Sequence, residues 1–222
     1  MNTVKKRKVI LVDDHPLIRQ AISEFINREA DLEMCGEAES VEQACEVVNK
    51  QNPDAVIVDL SLKGVSGFEL LKYIKESHPD VKVLVFSMHD ESTYAERALK
   101  AGARGYMTKQ EAPEQVIVAL RKILAGQIYM SDTLASSVLE HVASGKGLDH
   151  MMFPMESLSN REFEVFRMMG QGMGSRQIAE TLHLSIKTIE TYREHIKEKI
   201  GVKSASELVQ HAVQWTEAHE AA

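Results

Sequence analysis

Near the start of the chain, the sequence reads Val9-Ile10-Leu11-Val12-Asp13-Asp14. Four apolar residues, three of them β-branched, are followed at once by two carboxylates. A run without polar alternation is typical of a strand that is buried on both faces of a parallel sheet. In open α/β sheets, ligands bind just beyond the carboxyl ends of such strands. The stretch therefore predicts a parallel sheet with an acidic site at one edge.

Similar short apolar runs recur through the first half of the chain. The predicted strands are Lys8 to Val12, Leu32 to Cys35, Ala55 to Val58, Val81 to Phe86 and Gly105 to Met107. Between them, apolar residues return at helical spacing, as at Leu17, Ala21 and Phe25. Alternating strands and helices with right-handed crossovers predict an α/β doubly wound, five-stranded parallel sheet. We assign residues 1–125 to this domain.

The pattern changes after residue 125. Residues 126–154 are mixed in composition, and we interpret them as a linker with one short helix around Asp132 to Val142. Residues 155–222 lack strand signals and predict a small all-α domain, with helices over 159–169, 175–182, 186–200 and 204–215. Capped helix starts are predicted where Glu or Gln follows three residues after Ser40, Ser66, Ser159 and Ser204.

The composition is that of a globular protein, with 44% hydrophobic and 27% charged residues among 222. No apolar run is long enough to span a bilayer, and the basic start is followed by too few apolar residues for a signal peptide. We therefore expect a cytoplasmic protein without a membrane segment. The formal net charge of −7 argues against nucleic-acid binding, because phosphate contacts supply much of the affinity for DNA.

Five polar side chains follow the predicted strands at one edge of the sheet: Asp13, Asp14, Asp59, Ser87 and Lys109. Carboxylates about 4 Å apart repel each other by roughly 4 kcal/mol per pair at an effective dielectric of about 20. They remain ionised together beside a cation, and oxygen ligands at a solvated edge favour Mg²⁺. A carboxylate beside Mg²⁺, a lysine and a hydroxyl can attack phosphorus and become an acyl phosphate.

The sequence around this edge resembles the receiver domain of two-component response regulators over about residues 8–125. The matching motifs are Val12-Asp13-Asp14-His15, Val58-Asp59-Leu60, Val85-Phe86-Ser87-Met88 and Gly105-Tyr106-Met107-Thr108-Lys109. The resemblance implies that a histidine kinase phosphorylates Asp59. Two residues depart from the usual pattern. Met88 replaces a small residue, and Gln110 replaces a frequent proline, so no cis peptide is implied after Lys109.

The resemblance also implies roles for the surrounding groups. Asp14, Asp59 and the Ser61 backbone carbonyl would ligate Mg²⁺, and Asp13 would help through a water molecule. Ser87 and Lys109 would hold the phosphoryl group, while Tyr106 would rotate inward as Ser87 moves. We also hypothesise that Ser61 and His89, each two residues past a pocket residue, set the lifetime of the phosphorylated state by positioning or blocking water. An unchanged dephosphorylation rate after substitution of His89 would exclude this hypothesis.

The second half resembles the LuxR-type helix-turn-helix over most of residues 155–212. The matching residues are Leu158-Ser159-Asn160-Arg161-Glu162, Gly172, Ile178-Ala179, Leu182, Ser185, Lys187-Thr188-Ile189-Glu190 and Lys199-Ile200. Together, the two resemblances indicate the NarL/FixJ branch of response regulators. They imply that the motif Ser175 to Glu194 binds double-stranded promoter DNA and that the active protein is a homodimer.

One face of the predicted helix 186–200 is suited to a DNA groove. Ile189, Ile196 and Ile200, with Tyr192 or Arg193 between them, should pack inward and leave the opposite face free for the major groove. Between residues 186 and 203, five basic and three acidic residues give a local charge of only +2. The predicted DNA-binding residues are Lys187, Thr188, Glu190, Thr191, Arg193, Glu194 and Lys197.

The last predicted helix has an apolar stripe that is large for so small a domain. The resemblance implies that this stripe is the dimer interface, formed by Leu208, Val209, Ala212 and Val213. For Trp215, packing on its own domain is the alternative.

The leading hypothesis is a transcription factor controlled by phosphorylation. A Mg²⁺-dependent phosphohydrolase with an aspartyl intermediate would share the pocket chemistry, but such enzymes usually carry the nucleophile in an Asp-x-Asp motif after the first strand. Here Asp13 and Asp14 are adjacent, and the predicted phosphoacceptor follows the third strand. A regulator that acts through protein partners rather than DNA is the other alternative, which the acidic charge balance favours.

Overall fold

The computed structural model describes residues 6–62, 65–89, 91–132, 134–136 and 158–220. The chain divides into two compact units, residues 1–136 and 137–222. Each unit has its own set of buried residues.

The first unit is a five-stranded sheet in the order β2-β1-β3-β4-β5, with every neighbouring pair parallel. Its strands are β1 (Arg7–Val12), β2 (Leu32–Ala38), β3 (Ala55–Val58), β4 (Lys82–Ser87) and β5 (Gly105–Thr108). Its helices are α1 (Pro16–Arg28), α2 (Val41–Gln51), α3 (Gly67–Ser77), α4 (Glu91–Ala101) and α5 (Gln115–Leu124). The doubly wound α/β fold predicted from the sequence is confirmed.

The centre of the sheet is its most deeply buried part. Every residue of β3 is buried, as are the last four residues of β1. Strands covered by helices on both faces need apolar side chains on both sides, which explains the unbroken apolar runs. Burial of these strands fixes the position of whatever follows them at the carboxyl edge.

Two helix caps are predicted in this unit, and the structure contains one of them. Ser40 caps α2, because its side chain accepts a hydrogen bond from the backbone N–H of Gln43 at 3.3 Å. The cap predicted at Ser66 is wrong, because this side chain makes no capping hydrogen bond to α3. Ser66 is buried, with only 2% of the residue exposed.

The start of the predicted linker packs against the sheet. Tyr129 forms a parallel bridge with Gly105, and its carbonyl accepts a hydrogen bond from the N–H of Tyr106 at 3.0 Å. Tyr129 is 8% exposed and joins the apolar core. Of the predicted helix around Asp132 to Val142, Asp132 and residues 134–136 are helical. The rest of that helix and of the linker lies outside the described residues.

The second unit is all-helical in its described part, as the sequence predicts. Its helices are α6 (Asn160–Gly170), α7 (Ser175–Thr181), α8 (Ile186–Ile200) and α9 (Ala205–Glu220). Ser159 and Glu162 form the predicted capping box at the start of α6. Helix α9 continues to Glu220, past the end predicted at Trp215.

Close contact between α6 and α9 builds the core of this unit. A Cβ atom at Gly170 would lie 2.4 Å from the carbonyl oxygen of Ala212, so only glycine permits this approach. Trp215 meets Phe163 and Phe166 edge to face, with ring centroids 5.3 and 6.2 Å apart. Such aromatic contacts stabilise a small core beyond the area that they bury. Across the described part of the chain, none of the helices has the length and apolar character required to cross a membrane.

Candidate functional site

The sheet brings the predicted acidic residues together. Val12 of β1 pairs with Val58 of β3, so the residues that follow them, Asp13 and Asp59, emerge side by side at the carboxyl edge. Four side chains place one ligand atom each within 4.8 Å of the others: Asp13, Asp14, His15 and Asp59. An acidic pocket therefore lies where the sequence predicts it.

Lys109 is the cation of this pocket. Its Nζ lies 2.6 Å from Oδ2 of Asp13 and 2.6 Å from Oδ2 of Asp59. The lysine side chain is 4% exposed and both carboxylates are 1% exposed. Burial alone would lower the pKa of Lys109, but the neighbouring charges of Asp59 and Asp13 raise that pKa above its ordinary value. Lys109 therefore remains protonated and bridges the two carboxylates.

Backbone contacts fix Asp59 in place. Its N–H donates to the carbonyl of Val12 at 2.9 Å, and its Oδ1 accepts a hydrogen bond from the N–H of Ser61 at 3.0 Å. Gly67, at the start of α3, packs directly on this turn, because a Cβ there would lie 2.2 Å from the Asp59 carbonyl oxygen. The role of Gly67 is not predicted from the sequence. The signal that could have revealed it is a glycine at the first position of the helix that follows the pocket loop.

A second group of side chains connects β4 to β5 at the same edge. Ser87, at the end of β4, is fully buried, and its Oγ accepts a hydrogen bond from the N–H of His89 at 3.3 Å. Tyr106 is also fully buried, and its hydroxyl donates to the carbonyl of His89 at 3.0 Å. Tyr106 thus occupies an inward position, joined to Ser87 through one residue.

The His89 ring contacts the loop that follows the phosphoacceptor residue proposed from the sequence. Its Nε2 is hydrogen-bonded to Oγ of Ser61 at 2.9 Å, which links the loops after β3 and β4. The ring also stacks on Tyr94 with centroids 4.4 Å apart. Met88 beside it is 61% exposed, so this side chain points away from the pocket core. The two residues named in the phosphate-lifetime hypothesis are therefore in direct contact.

The donor set of the pocket fits a hard divalent cation. Three carboxylates converge there, and oxygen ligands of this kind suit Mg²⁺. The imidazole of His15 is 64% exposed and lies 2.8 Å from Oδ1 of Asp14. The role of the Ser61 carbonyl as a metal ligand stays a prediction.

The exposed face of α8 carries most of the predicted DNA-binding residues. Ile189 and Ile196 are buried, which turns the opposite face outward as predicted. Ser185 caps the helix, because its Oγ accepts a hydrogen bond from the N–H of Thr188 at 3.0 Å. The Thr188 hydroxyl is also hydrogen-bonded to Oγ of Ser185, at 2.8 Å. The predicted residues that are exposed on this face are Lys187, Glu190, Thr191 and Glu194.

Two basic residues of the predicted set are engaged within the domain. Lys197 lies 2.5 Å from a carboxylate oxygen of Glu194. Nη1 of Arg193 donates to Oγ of Ser175 at 2.6 Å and lies 3.9 Å from Oε1 of Glu190. The sequence placed Tyr192 or Arg193 on the inner side without deciding between them; both are half-buried.

The predicted dimer stripe divides between the interior and the surface. Leu208 is 1% exposed and Ala212 is fully buried within their own domain. Val209 is 37% exposed and Val213 is half-buried, so these two valines are the accessible part of the stripe. Trp215 packs against Phe163 and Phe166 of its own domain, which was the alternative to a place in the dimer interface.

Comparisons with known proteins agree with this arrangement. Residues 9–121 match the family described as response regulator receiver domain, and residues 156–212 match bacterial regulatory proteins of the luxR family. The oxygen regulatory protein NreC of Staphylococcus epidermidis is 35% identical over 210 residues, which cover 93% of this chain and 96% of NreC. The Staphylococcus carnosus protein of the same name is 34% identical over 209 residues, with the same shares covered.

Solved structures give the same result. RcsB of Salmonella enterica serovar Typhimurium, bound to promoter rprA in the presence of the phosphomimetic BeF3-, is 27% identical with a TM-score of 0.59. The match covers 94% of this chain and 99% of that one. A LuxR-family two-component response regulator from Aurantimonas is 33% identical with a TM-score of 0.58, covering 63% of this chain and 99% of that one. The chain therefore belongs to the NarL/FixJ-type two-component response regulators, DNA-binding proteins that join a receiver domain to a LuxR-type helix-turn-helix.

Proposed function

We propose that a sensor histidine kinase phosphorylates Asp59 and that this phosphorylation controls dimerisation and transcription of target genes. The observation that carries the proposal is the pair of 2.6 Å contacts from Lys109 to Asp13 and Asp59 in a buried pocket. A protonated lysine beside the acceptor carboxylate neutralises charge on a transferring phosphoryl group. As a member of its family, the chain is a regulator and not an enzyme for an external substrate.

Phosphoryl transfer would proceed at the Asp59 carboxylate. One of its oxygens attacks the phosphorus of a phosphohistidine, the P–N bond breaks, and the electron pair stays on the imidazole. Asp59 becomes an acyl phosphate, and Lys109 stays paired with the new phosphoryl oxygens. The Ser61 N–H, which donates to Asp59 Oδ1 at 3.0 Å, keeps the carboxylate oriented during attack. We place this reaction in the cytoplasm.

Asp14, Asp59 and the Ser61 carbonyl would hold Mg²⁺, and Asp13 would reach it through a water molecule. Bound Mg²⁺ supplies charge neutralisation for the phosphoryl oxygens. Asp13 also fixes the lysine, since its Oδ2 lies 2.6 Å from Nζ of Lys109. Each carboxylate of the pocket would thus have a distinct task.

The switch would start at the Ser87 hydroxyl. Phosphorylation adds about −1.5 to −2 charges, and the new oxygens attract a nearby hydroxyl donor. In this structure, Oγ of Ser87 accepts from the N–H of His89, and the His89 carbonyl accepts from the hydroxyl of Tyr106. A movement of Ser87 toward the phosphoryl group would therefore change the hydrogen bonds of the His89 N–H and carbonyl, and with them the position of Tyr106.

The output would be a homodimer on double-stranded promoter DNA. Structures of RcsB include dimers bound to DNA, and in this chain the predicted recognition helix, α8, has an exposed polar face. Lys187 and Thr191 are available for a major groove, while Val209 and Val213 offer an apolar contact between copies.

A regulator that acts through protein partners is a second candidate. Two acidic residues, Glu190 and Glu194, are exposed on the recognition face, and Glu194 pairs with Lys197 at 2.5 Å. Acidic charge there weakens non-specific attraction to DNA. Failure to bind any promoter fragment at every salt concentration would favour this candidate.

The first test is to measure intact mass and size-exclusion behaviour after incubation with Mg²⁺ and acetyl phosphate, using the wild type and Asp59→Asn. We expect one added phosphate in the wild type, none in the variant, and a shift toward dimer in the wild type alone. If acetyl phosphate fails, a phosphorylated histidine kinase is the next donor. No labelling from either donor would refute phosphorylation at Asp59.

A further inference from the structure

Arg193 connects the recognition helix, α8, to the preceding helix. Its Nη1 donates to Oγ of Ser175 at 2.6 Å, and its side chain is only 20% exposed. Lys187, on the same helix, is exposed. The guanidinium is thus directed at the preceding helix, α7, and not at the surface that faces a DNA groove.

We propose that Arg193 is a positioning residue that holds α7 in its orientation on α8 through Ser175, and that it makes no phosphate contact. The proposal rests on the DNA-binding function proposed above. In a helix-turn-helix the first helix crosses the DNA backbone while the second lies in the groove, so the angle between them decides how both meet DNA. Arg193 would act on DNA recognition through this angle.

Helix α7 needs such a restraint because little else holds its first turn. The helix has seven residues, and only Ile178 and Ala179 are buried. Neither belongs to the first three residues of the helix. The chain enters through Gly172, which has a φ of +82°, and Gly174, whose N–H is bonded only to the Gln177 side chain within α7 itself at 3.0 Å. Among the described residues, the hydrogen bond from Arg193 to Ser175 therefore ties this first turn to α8.

The charge around Arg193 also favours an internal role. Oε1 of Glu190 lies 3.9 Å from Nη1 of Arg193 and partly neutralises the guanidinium. A phosphate contact made by Nη1 would compete with both Ser175 and Glu190. Because the guanidinium is planar and its donors are fixed in a fork, it is better suited to bridge two helices than a lysine would be.

The test compares two variants, each of which removes one partner of the hydrogen bond between Arg193 and Ser175. Ser175→Ala removes the acceptor and leaves every charge in place, whereas Arg193→Met removes the charge and the donor. The probe is a short fluorescent duplex whose sequence the wild type enriches from a random pool, with a scrambled duplex as the non-specific reference. Dissociation constants are measured by anisotropy across a salt series, and circular dichroism checks folding.

We expect both variants to bind the enriched duplex about tenfold more weakly, since hydrogen bonds to charged groups contribute at about that level. Binding to the scrambled duplex and the salt slope should stay unchanged, and the double variant should bind no worse than either single one. Lys187→Met is the matched control: it removes an exposed charge of the same helix, and loss of one phosphate contact would lower the salt slope by about 0.9. Arg193→Lys should recover part of the affinity.

The positioning role is overturned if Ser175→Ala binds like the wild type, or if Arg193→Met lowers the salt slope as Lys187→Met does. Equal weakening on both duplexes would show a general loss of structure and would equally exclude it. If the wild type itself enriches no sequence and binds no duplex, the DNA-binding function fails with it. A wild type that binds while the variants are indistinguishable from it refutes the positioning role alone.

Discussion

The acidic pocket of the first domain and the exposed face of α8 in the second are both clusters of charge, but they differ in burial. Asp13, Asp59 and Lys109 are at most 4% exposed, and their contacts are set by the ends of buried strands. On α8, Glu190 is 55% and Glu194 is 62% exposed. Exposed ion pairs contribute little to stability, whereas removing one partner of a buried pair is costly.

Charged residues therefore have different roles in the two places. In the pocket, charge is part of the folded structure before any phosphoryl group arrives. On α8, charge is held in solvent and gains its effect only when DNA approaches. Substitutions should therefore change stability in the first case and mainly salt-dependent binding in the second.

The largest effect is expected for Lys109→Met. It leaves the buried carboxylates of Asp13 and Asp59 without their cation, so the free energy of unfolding should fall by about 3 kcal/mol. Mg²⁺ should restore part of this loss, and labelling of Asp59 should slow by about a hundredfold. Urea unfolding with and without Mg²⁺ measures the first effect, and intact mass over time measures the second.

Lys72→Met is the control for this experiment, because Lys72 is an exposed lysine on α3. It should change the free energy of unfolding by less than about 0.5 kcal/mol. Equal effects of the two substitutions would contradict the contrast between buried and exposed charge.

The next effect concerns Glu162, which gives the second domain a buried charge of its own. Burial raises the pKa of Glu162, but hydrogen bonds from Lys199 and Ser159 outweigh burial and hold that pKa below its ordinary value of 4.5. A depressed folded-state pKa means that the stabilisation is present above the unfolded value and is lost as the pH falls through the folded one. Glu162→Gln should therefore lower stability by about 2 kcal/mol at neutral pH.

Urea unfolding as a function of pH checks this, and the difference from wild type should shrink as the pH falls below about 4.5. Glu207→Gln is a matched control, because Glu207 accepts similar backbone hydrogen bonds at the start of α9 but is exposed. Its cost should stay below about 1 kcal/mol. A pH-independent loss in Glu162→Gln would show that shape, and not charge, is what matters there.

The smallest effect is expected at the half-buried rim of the pocket. His89→Ala removes the 2.9 Å hydrogen bond to Ser61 and opens one side of the pocket to water. Since one neutral hydrogen bond contributes about 1 kcal/mol, loss of phosphate should accelerate about fivefold. Decay of the phosphorylated mass after removal of the donor gives the rate. A slower decay would mean that His89 positions the water, and an unchanged rate would exclude both roles.

The sequence predicts most of the fold and the pocket because both depend on strong local patterns. Short, mainly apolar runs located all five strands, and Asp13 and Asp59 are neighbours because the preceding residues, Val12 and Val58, pair in the sheet. At Ser66 the pattern failed, because a buried serine can use its hydroxyl elsewhere than at the helix end. Helical periodicity did not decide between Tyr192 and Arg193.

Other features could not be predicted because they join residues that are distant along the chain. The bond between Arg193 and Ser175 spans two helices, and only their packing angle brings the groups within 2.6 Å. The burial of Leu208 and Ala212 depends on how closely α9 approaches α6, which Gly170 permits. Amphipathicity identifies an apolar face, but it does not tell whether that face is covered by the same chain or by another copy.

The bridge between Tyr129 and Gly105 has a consequence for handling the first domain on its own. Strand β5 is the last strand of the sheet, and an uncovered edge strand is a template for aggregation. Tyr129 occupies that edge, accepting from the N–H of Tyr106 and donating its own N–H to the carbonyl of Arg104, both at 3.0 Å. A receiver fragment cut at residue 125 would expose this edge to other molecules, whereas one extended to residue 136 keeps the bridge that Tyr129 forms with it.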